Sequence, residues 1–301
     1  MTGDIGDFLR SRRARIRPEE TGLPSHGRRR VPGLRREEVA LLAGVSVDYY
    51  IRLEQGRGPS VSDAVLDAIA RVLRLDRTEH SHLRALARPA PTPEGVQEIR
   101  PGVRLLLDAV GGAAPAFVLG RRMDILAWNA LADAVAGHSR MPAGSRNIAR
   151  HVFLDPVARE LYPQWARIAE ETVGYLRLDA GQHPGDPLLA ALTQELADRS
   201  EEFRRLWADH TVKEKTHGVK LIDHPTVGRL VLPYETLALP GEPDQLVVVY
   251  TPQAGSETGR RLARLAAAAP DTPFPHPDAP LPHPDAPFPH PDAPLPQPVR
   301  G

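Results

Sequence analysis

Ser46, Val47, Asp48, Tyr49, Arg52 and Arg57 place a hydroxyl, a carboxylate, a phenol and two guanidiniums just after a glycine. Guanidiniums and phenols can bond base edges, a carboxylate can accept from cytosine N4, and arginine matches phosphate oxygens two at a time. Contact with duplex DNA is therefore the chemistry open to this group. Bond-making chemistry has no comparable signal. The chain contains no Gly-x-Ser-x-Gly elbow, phosphate loop, dinucleotide fingerprint or His-Glu-x-x-His pattern. Carboxylates such as Asp155, Glu170 and Glu171 are scattered, cysteine is absent, and no enzyme is expected.

The elements that must position these residues are read from spacing. Val39, Ala40, Leu42 and Ala43 recur at helical intervals, giving a first helix one apolar face. Gly44 can take the left-handed conformation of a helix stop, Val45 plugs the turn, and Ser46 can cap the next helix. Tyr50, Ile51 and Leu53 fall on that helix's inner side, and Val47, Asp48, Tyr49 and Arg52 face outward. Gly56 closes it. This is the spacing of a helix–turn–helix, whose second helix lies in the major groove with its first residues toward the bases. An ordinary helical hairpin shares the periodicity, but the Ala-x-x-x-Gly-Val-Ser spacing keeps two helices close at a steep angle. The continuation Leu-Glu-Gln-Gly-Arg resembles the phage-repressor-like XRE family. That resemblance implies base reading by Val47, Asp48, Tyr49 and Arg52, with the capping Ser46 also among the DNA-binding residues. Arg35, Arg36 and Arg57 are phosphate candidates. Asp48 has a second reading, as a favourable charge at the positive end of its helix.

The 301 residues are net neutral, which alone would argue against nucleic acid. The distribution argues the other way. Residues 1–89 carry 17 Arg and no Lys against 12 acidic residues, and the remainder is correspondingly acidic. A basic front on an acidic back fits a DNA module joined to something else. No apolar run approaches the roughly 20 residues a bilayer span needs, and Met1–Arg17 is too charged for a secretory signal. Together with the lack of cysteine, this leads us to expect a cytoplasmic protein with no membrane partner.

A first unit of about five helices is expected over 1–88. It begins with Asp4–Arg15, whose Arg10, Arg12, Arg13 and Arg15 suit either the helix dipole or phosphates. A loop over Pro18–Pro32 ends in Arg28-Arg29-Arg30. Ser62 is expected to cap a helix through Val65, Leu66 and Ile69, and Arg77–Arg88 forms the fifth. Residues 89–95 read as a stiff Pro-rich linker. The second unit, 96–270, begins with a helix near Val103–Val110. Strands at Ala116–Leu119 and Met123–Ala127 follow, then a helix over 130–136 capped by Asn129. Helical patterns at 155–178, 186–198 and 200–209 precede extended runs at Val219–Ile222, Val227–Leu239 and Gln245–Thr251. A helix over 256–268 ends the unit. This is an α+β pattern with a largely antiparallel sheet, and Leu246–Tyr250 as its central strand. Residues 271–301 hold a seven-residue repeat with Pro at alternate positions, a composition expected to stay disordered.

Several stretches of this second unit resemble regulators with a C-terminal MmyB-like ligand-binding domain. They are Arg121–Asn129, Asn147–Asp155 with Pro156, Ser200–Trp207 and His224–Gly228. The resemblance implies a PAS-like fold and a pocket able to take a fatty-acid-like ligand. Arg122, Trp128, Asn129, Arg177, His210 and Tyr234 are the residues placed near it, with Arg122 and Arg177 as anchors for an acid head. Each has a plainer role available: Trp128 in the core, Asn129 as a cap, Arg177 in a surface pair. His210, His217 and His224 are evenly spaced, but a segment changing from helix to strand does not converge three side chains on a metal. No metal and no cofactor beyond such a ligand is expected. The reading is a DNA-binding transcription regulator, expected as a homodimer on a double-stranded operator and responsive to a small apolar effector. The alternative is a second domain that only dimerises or recruits a partner protein.

Overall fold

The computed structural model describes residues 5–21, 33–57, 61–88 and 97–268. Arg28–Arg30, the linker and the repeats lie outside the described residues. The N-terminal unit packs α1 (Ile5–Arg15), α2 (Arg36–Ala43), α3 (Val47–Glu54), α4 (Asp63–Val72) and α5 (Arg77–Ala87) around Phe8, Leu9, Leu34, Val39, Tyr50, Leu66, Ile69 and Leu83. Gly44 leaves α2 at φ 69°, and the Ser46 hydroxyl accepts from the Tyr49 N–H at 3.2 Å. Leu42 departs from its expected place and is 37% exposed. At 100° per residue it falls past the edge of the arc formed by Val39, Ala40 and Ala43. Ser62 occupies the cap position of α4, but its hydroxyl makes no cap bond.

The second unit begins with α6 (Pro101–Val110), β1 (Ala116–Leu119) and β2 (Ile125–Trp128). Next come α7 (Ala130–Ala136), α8 (Ile148–Leu154), α9 (Val157–Leu161), α10 (Trp165–Gln182), α11 (Pro187–Arg199) and α12 (Glu201–Ala208). It closes with β3 (His217–His224), β4 (Gly228–Leu239), β5 (Glu242–Tyr250) and α13 (Glu257–Ala268). The strands form one antiparallel sheet in the order β2-β1-β5-β4-β3. β5 is therefore central, as its apolar run predicts. α6 covers one face through Val103 and Leu107; α7, α8, α10 and α13 enclose the other in the main core.

Three local readings are corrected. The helix expected over 155–178 is two helices, because Pro163 disfavours the helical conformation at Tyr162 before it. Residues 148–154 form α8, capped by Asn147, whose side chain accepts from the Ala149 and Arg150 N–H groups. β2 starts at Ile125, not Met123, since Arg121–Met123 form a 3-10 turn with Arg122 at φ 58° and Met123 at φ 66°. That left-handed turn is held by Asn147, which donates to the Arg122 carbonyl at 2.6 Å, and by Asp179, which accepts from the Arg122 N–H at 2.6 Å.

The two units are packed together through α1 and α5 on one side, and α10 and the segment after α12 on the other. Arg12, 2% exposed, donates to the His210 carbonyl at 2.7 Å and pairs with Glu79 at 2.8 Å. Arg15 donates to the Asp209 carbonyl at 3.1 Å. His82 is buried against Gly181 of α10, where any Cβ would overlap the imidazole. Val212, a residue of the second unit, is buried in the core of the first.

Candidate functional site

On α3, Val47, Asp48 and Arg52 are exposed and Tyr49 is half-buried, while Tyr50 and Leu53 face inward. The outward set therefore lies on one accessible face. Arg35 and Arg57 are exposed at the ends of the motif. Arg36 sits differently: its guanidinium holds the buried Glu54 carboxylate at 2.8 Å, and Arg13 reaches the same oxygen at 3.3 Å. Those hydrogen bonds and that charge raise Arg36 above the usual arginine value. A phosphate contact there must be shared with Glu54. The α1 arginines are likewise committed within the protein. Arg10 pairs with Asp7, Arg13 donates to the Leu34 carbonyl at 2.7 Å, and Arg12 and Arg15 hold the inter-unit contact.

In the second unit the six residues named from sequence do not converge. Tyr234 alone lines the pocket described next. Asn129, 2% exposed, is structural: its oxygen caps α7 at Ala132 and bonds the Ala116 N–H, and its amide donates to the Leu107 and Ala114 carbonyls. Trp128 is half-buried with the Arg146 guanidinium 5.1 Å from its ring centroid. Arg122 pairs with Asp124 and Asp186, both at 2.9 Å. Burial pulls it down, but the Asp186 hydrogen bond and the two carboxylate charges leave its pKa raised. Arg177 stacks over Trp207 at 4.1 Å, donates to the Trp207 carbonyl and meets His210 Nδ1 at 3.1 Å, all at the contact between units. Burial, with the charge of Arg12 adding to it, lowers Arg177 to about 10. His217 opens β3, and His224 closes it with Nε2 3.0 Å from the Ala134 carbonyl. Among the described residues no group of three or more side chains could hold a metal.

The pocket lies between the sheet and α10. Its chamber is lined by Phe117, Leu119, Met123, Ile148, Ile168 and Tyr250, among others, and encloses about 20 Å³ of free volume. That is about enough for one water. His138, 3% exposed, also lines the chamber and its Nδ1 has no hydrogen-bond partner. Burial drops this imidazole to about 3. A polar vestibule of about 250 Å³, lined by Arg167, Lys213, Glu214 and His217, shares Glu171, Tyr175 and Tyr234 with the chamber.

Two cations mark the chamber. Lys215 Nζ lies 5.2 and 4.8 Å from the ring centroids of Tyr175 and Tyr234, and Lys220 Nζ lies 5.4 Å from that of Tyr162. Neither forms an ion pair among the described residues; Glu171, which lines the same chamber, pairs at 3.9 Å with Lys213. Burial and the charge of Lys220 lower Lys215 to about 7. Burial, partly offset by Glu171, lowers Lys220 to about 8. Sequence reasoning missed both. The available signal was composition: Lys213, Lys215 and Lys220 are the only lysines in a chain otherwise supplied with arginine. Lysine is the compact cation whose charge an apolar site can tune.

A family model for a helix-turn-helix domain matches residues 4–83. A second, for an MmyB-like transcription regulator ligand binding domain, matches residues 99–265. Neither describes an enzyme. No curated protein matches the chain. No helix among the described residues is long and apolar enough to cross a membrane. The chain is thus a transcription regulator with a DNA-binding front and a ligand-binding body, and, with more than half its length matched, it belongs to the MmyB-like transcription regulator family.

Proposed function

We propose that the effector is an acidic amphiphile, fatty-acid-like in shape, whose head meets Lys215 and Lys220 while its tail enters the aromatic and aliphatic chamber. The observation that carries this is two lysines with no ion pair at an apolar chamber, beside a vestibule wide enough for a carboxylate. The chamber's own free volume is too small for an acyl chain, so binding requires lining side chains to move. The head anchors are the lysines in place of Arg122 and Arg177, whose guanidiniums are already engaged. The sheet order β2-β1-β5-β4-β3 supports a PAS-like assignment. A cytoplasmic site of action follows from the DNA target.

The test uses the full chain freed of co-purified lipid. Decanoate at 100 times its dissociation constant should stabilise by about 2.7 kcal/mol. That raises Tm by about 5–10 °C for a unit of this size. Lys215→Met should weaken binding about 10–100-fold, the range for a lost charge-assisted contact. No shift with any acyl chain length would sink the effector reading. Dimerisation would then lead, because Val219, Val231 and Leu237 are 42–53% exposed on the sheet face that α6 covers in part. We propose that face for a homodimer.

On the DNA side, the exposed α3 face supports base reading by Val47, Asp48, Tyr49 and Arg52. Arg52→Ala should reduce discrimination between a selected operator and random duplex by roughly 1–3 kcal/mol. Unchanged discrimination would move the reading face elsewhere.

A further inference from the structure

The segment leaving α12 is fastened at both ends to different units. Toward the DNA-binding unit, the Asp209 and His210 carbonyls accept from Arg15 and Arg12, and Val212 is buried in the helical core. Toward the ligand-binding unit, the Lys213 N–H donates to the Gly174 carbonyl of α10 at 3.2 Å. The Lys213 side chain lies so close to Gly174 that a Cβ there would meet it at 2.9 Å. The Thr236 hydroxyl donates to the Lys215 carbonyl at 2.9 Å, and the Thr236 N–H to the Thr216 carbonyl at 2.7 Å. Lys215, two residues beyond Lys213, is one of the two pocket cations. No helix or strand intervenes between Asp209 and Thr216.

Three residues of chain reach at most about 10 Å, so a shift of Lys215 beyond that span must carry Val212 with it. α10 duplicates the link. Tyr175 lines the pocket, Gly174 takes Lys213, Arg177 holds the Trp207 carbonyl and His210, and Gly181 receives His82. Pocket wall and inter-unit contact therefore lie within two turns of one rigid helix. His210 sits in the left-handed region at φ 51°, which a non-glycine residue adopts only when held there.

We propose that residues 209–216 form a transmission strap: whatever engages Lys215 in the pocket moves Val212 and the His210 carbonyl, and so resets how the DNA-binding unit is held. The strap rests on the effector reading for its natural input, but its mechanical claim stands apart from that reading. The device works by linkage. A ligand preferring one strap position changes operator affinity by its differential affinity for the two positions, and DNA changes ligand affinity by the same factor.

The test is hydrogen exchange of the full chain, with amides of β1 and β5 as internal reference. Lys215→Met removes one of the two pocket cations and leaves Lys220 in place. Thr236→Val removes the hydroxyl that holds the Lys215 carbonyl, leaves the backbone bond to Thr216 in place, and serves as a second variant. Each should raise exchange in α1 and α5 several-fold while the reference amides stay unchanged. In a Val212→Ala background, where the strap has lost its grip, neither should add a further change. Unaltered α1 and α5 exchange in both variants, or additive effects in the Val212→Ala background, would overturn the strap. Decanoate is the separate arm. If it leaves the amides of α10 and β4 unchanged while the variants still couple, the effector reading falls and the strap stands.

Discussion

Two corners of the ligand-binding unit hold half-buried cations, and they do opposite things with them. At the 121–123 turn, Arg122 sits between Asp124 and Asp186, and its own N–H is taken by Asp179. At the pocket, Lys215 and Lys220 sit against aromatic faces with no carboxylate paired to them among the described residues. A charge already neutralised by its own chain is scaffold. A charge left against apolar walls raises the free energy of the empty state, and an arriving anion relieves it. The difference tells which cation belongs to the fold and which to the ligand.

The largest way to break this comparison is to remove Arg122. Arg122→Ala leaves Asp186, 3% exposed at the side chain, with only the Leu188 and Leu189 N–H groups and Arg121 at 3.9 Å, and should cost about 3–4 kcal/mol. Tm should fall by about 10 °C or more, measured by calorimetry. A fall of only a degree or two would show that the carboxylates are satisfied without it, and that the two corners differ less than their geometry suggests.

Acid sharpens the contrast next. His138 is neutral in the folded chain, held near 3, whereas an unfolded histidine titrates near 6.5. Above 6.5 neither state binds the proton, and this histidine adds no pH dependence. As pH falls from 6.5 toward 3 the unfolded state takes a proton that the folded state refuses. Stability should then drop by about 1.4 kcal/mol per pH unit, for this one residue. His82, pulled to about 3 chiefly by burial and then by the charges of Arg177 and Arg12, adds a parallel loss at the contact between units. Urea midpoints of His138→Phe and the parent should converge as pH rises to 7. Parallel curves would place the titration elsewhere.

The smallest effect belongs to the lysines. Lys215→Met should leave Tm unchanged or raise it slightly, since it removes a desolvated charge that nothing pairs. A loss comparable to that of Arg122→Ala would show that Lys215 is scaffold after all.

Much of the fold is legible in the sequence because its signals are local. Gly44, Ser46 and Asn129 announce their turns and caps through chemistry contained within four residues, and the run Leu246–Tyr250 can only be a buried strand. The arginines of α1 suit the helix dipole or phosphates as far as spacing tells. Arg10 does meet Asp7 one turn away, but the partners of Arg12, Arg13 and Arg15, the Leu34, Asp209 and His210 carbonyls with Glu54 and Glu79, lie far away in sequence and leave no periodic trace. The pocket is hidden for a related reason. Arg122 and Arg177 attract notice as cations in an apolar context, but which cation has a carboxylate beside it is a tertiary fact. Spacing does not report it. Lysine usage marks the place, since all three lysines line the chamber or its vestibule, but not the pairing, since Lys213 meets Glu171.

Val212 also bears on how proteins of this architecture can be recombined. It belongs to the stretch matched by the ligand-binding family and completes the core of the stretch matched by the helix-turn-helix family. A cut through the Pro-rich joint therefore yields a reading head with a hole and a sensor with an exposed plug. A chimera that sets a foreign head on this body inherits a valine shaped for another protein's interior, and a sensor domain moved alone carries its plug to a head with no socket. Swaps that move 209–212 together with α1 and α5 keep plug and socket matched. Head and sensor in this chain are a fitted pair, not interchangeable cassettes.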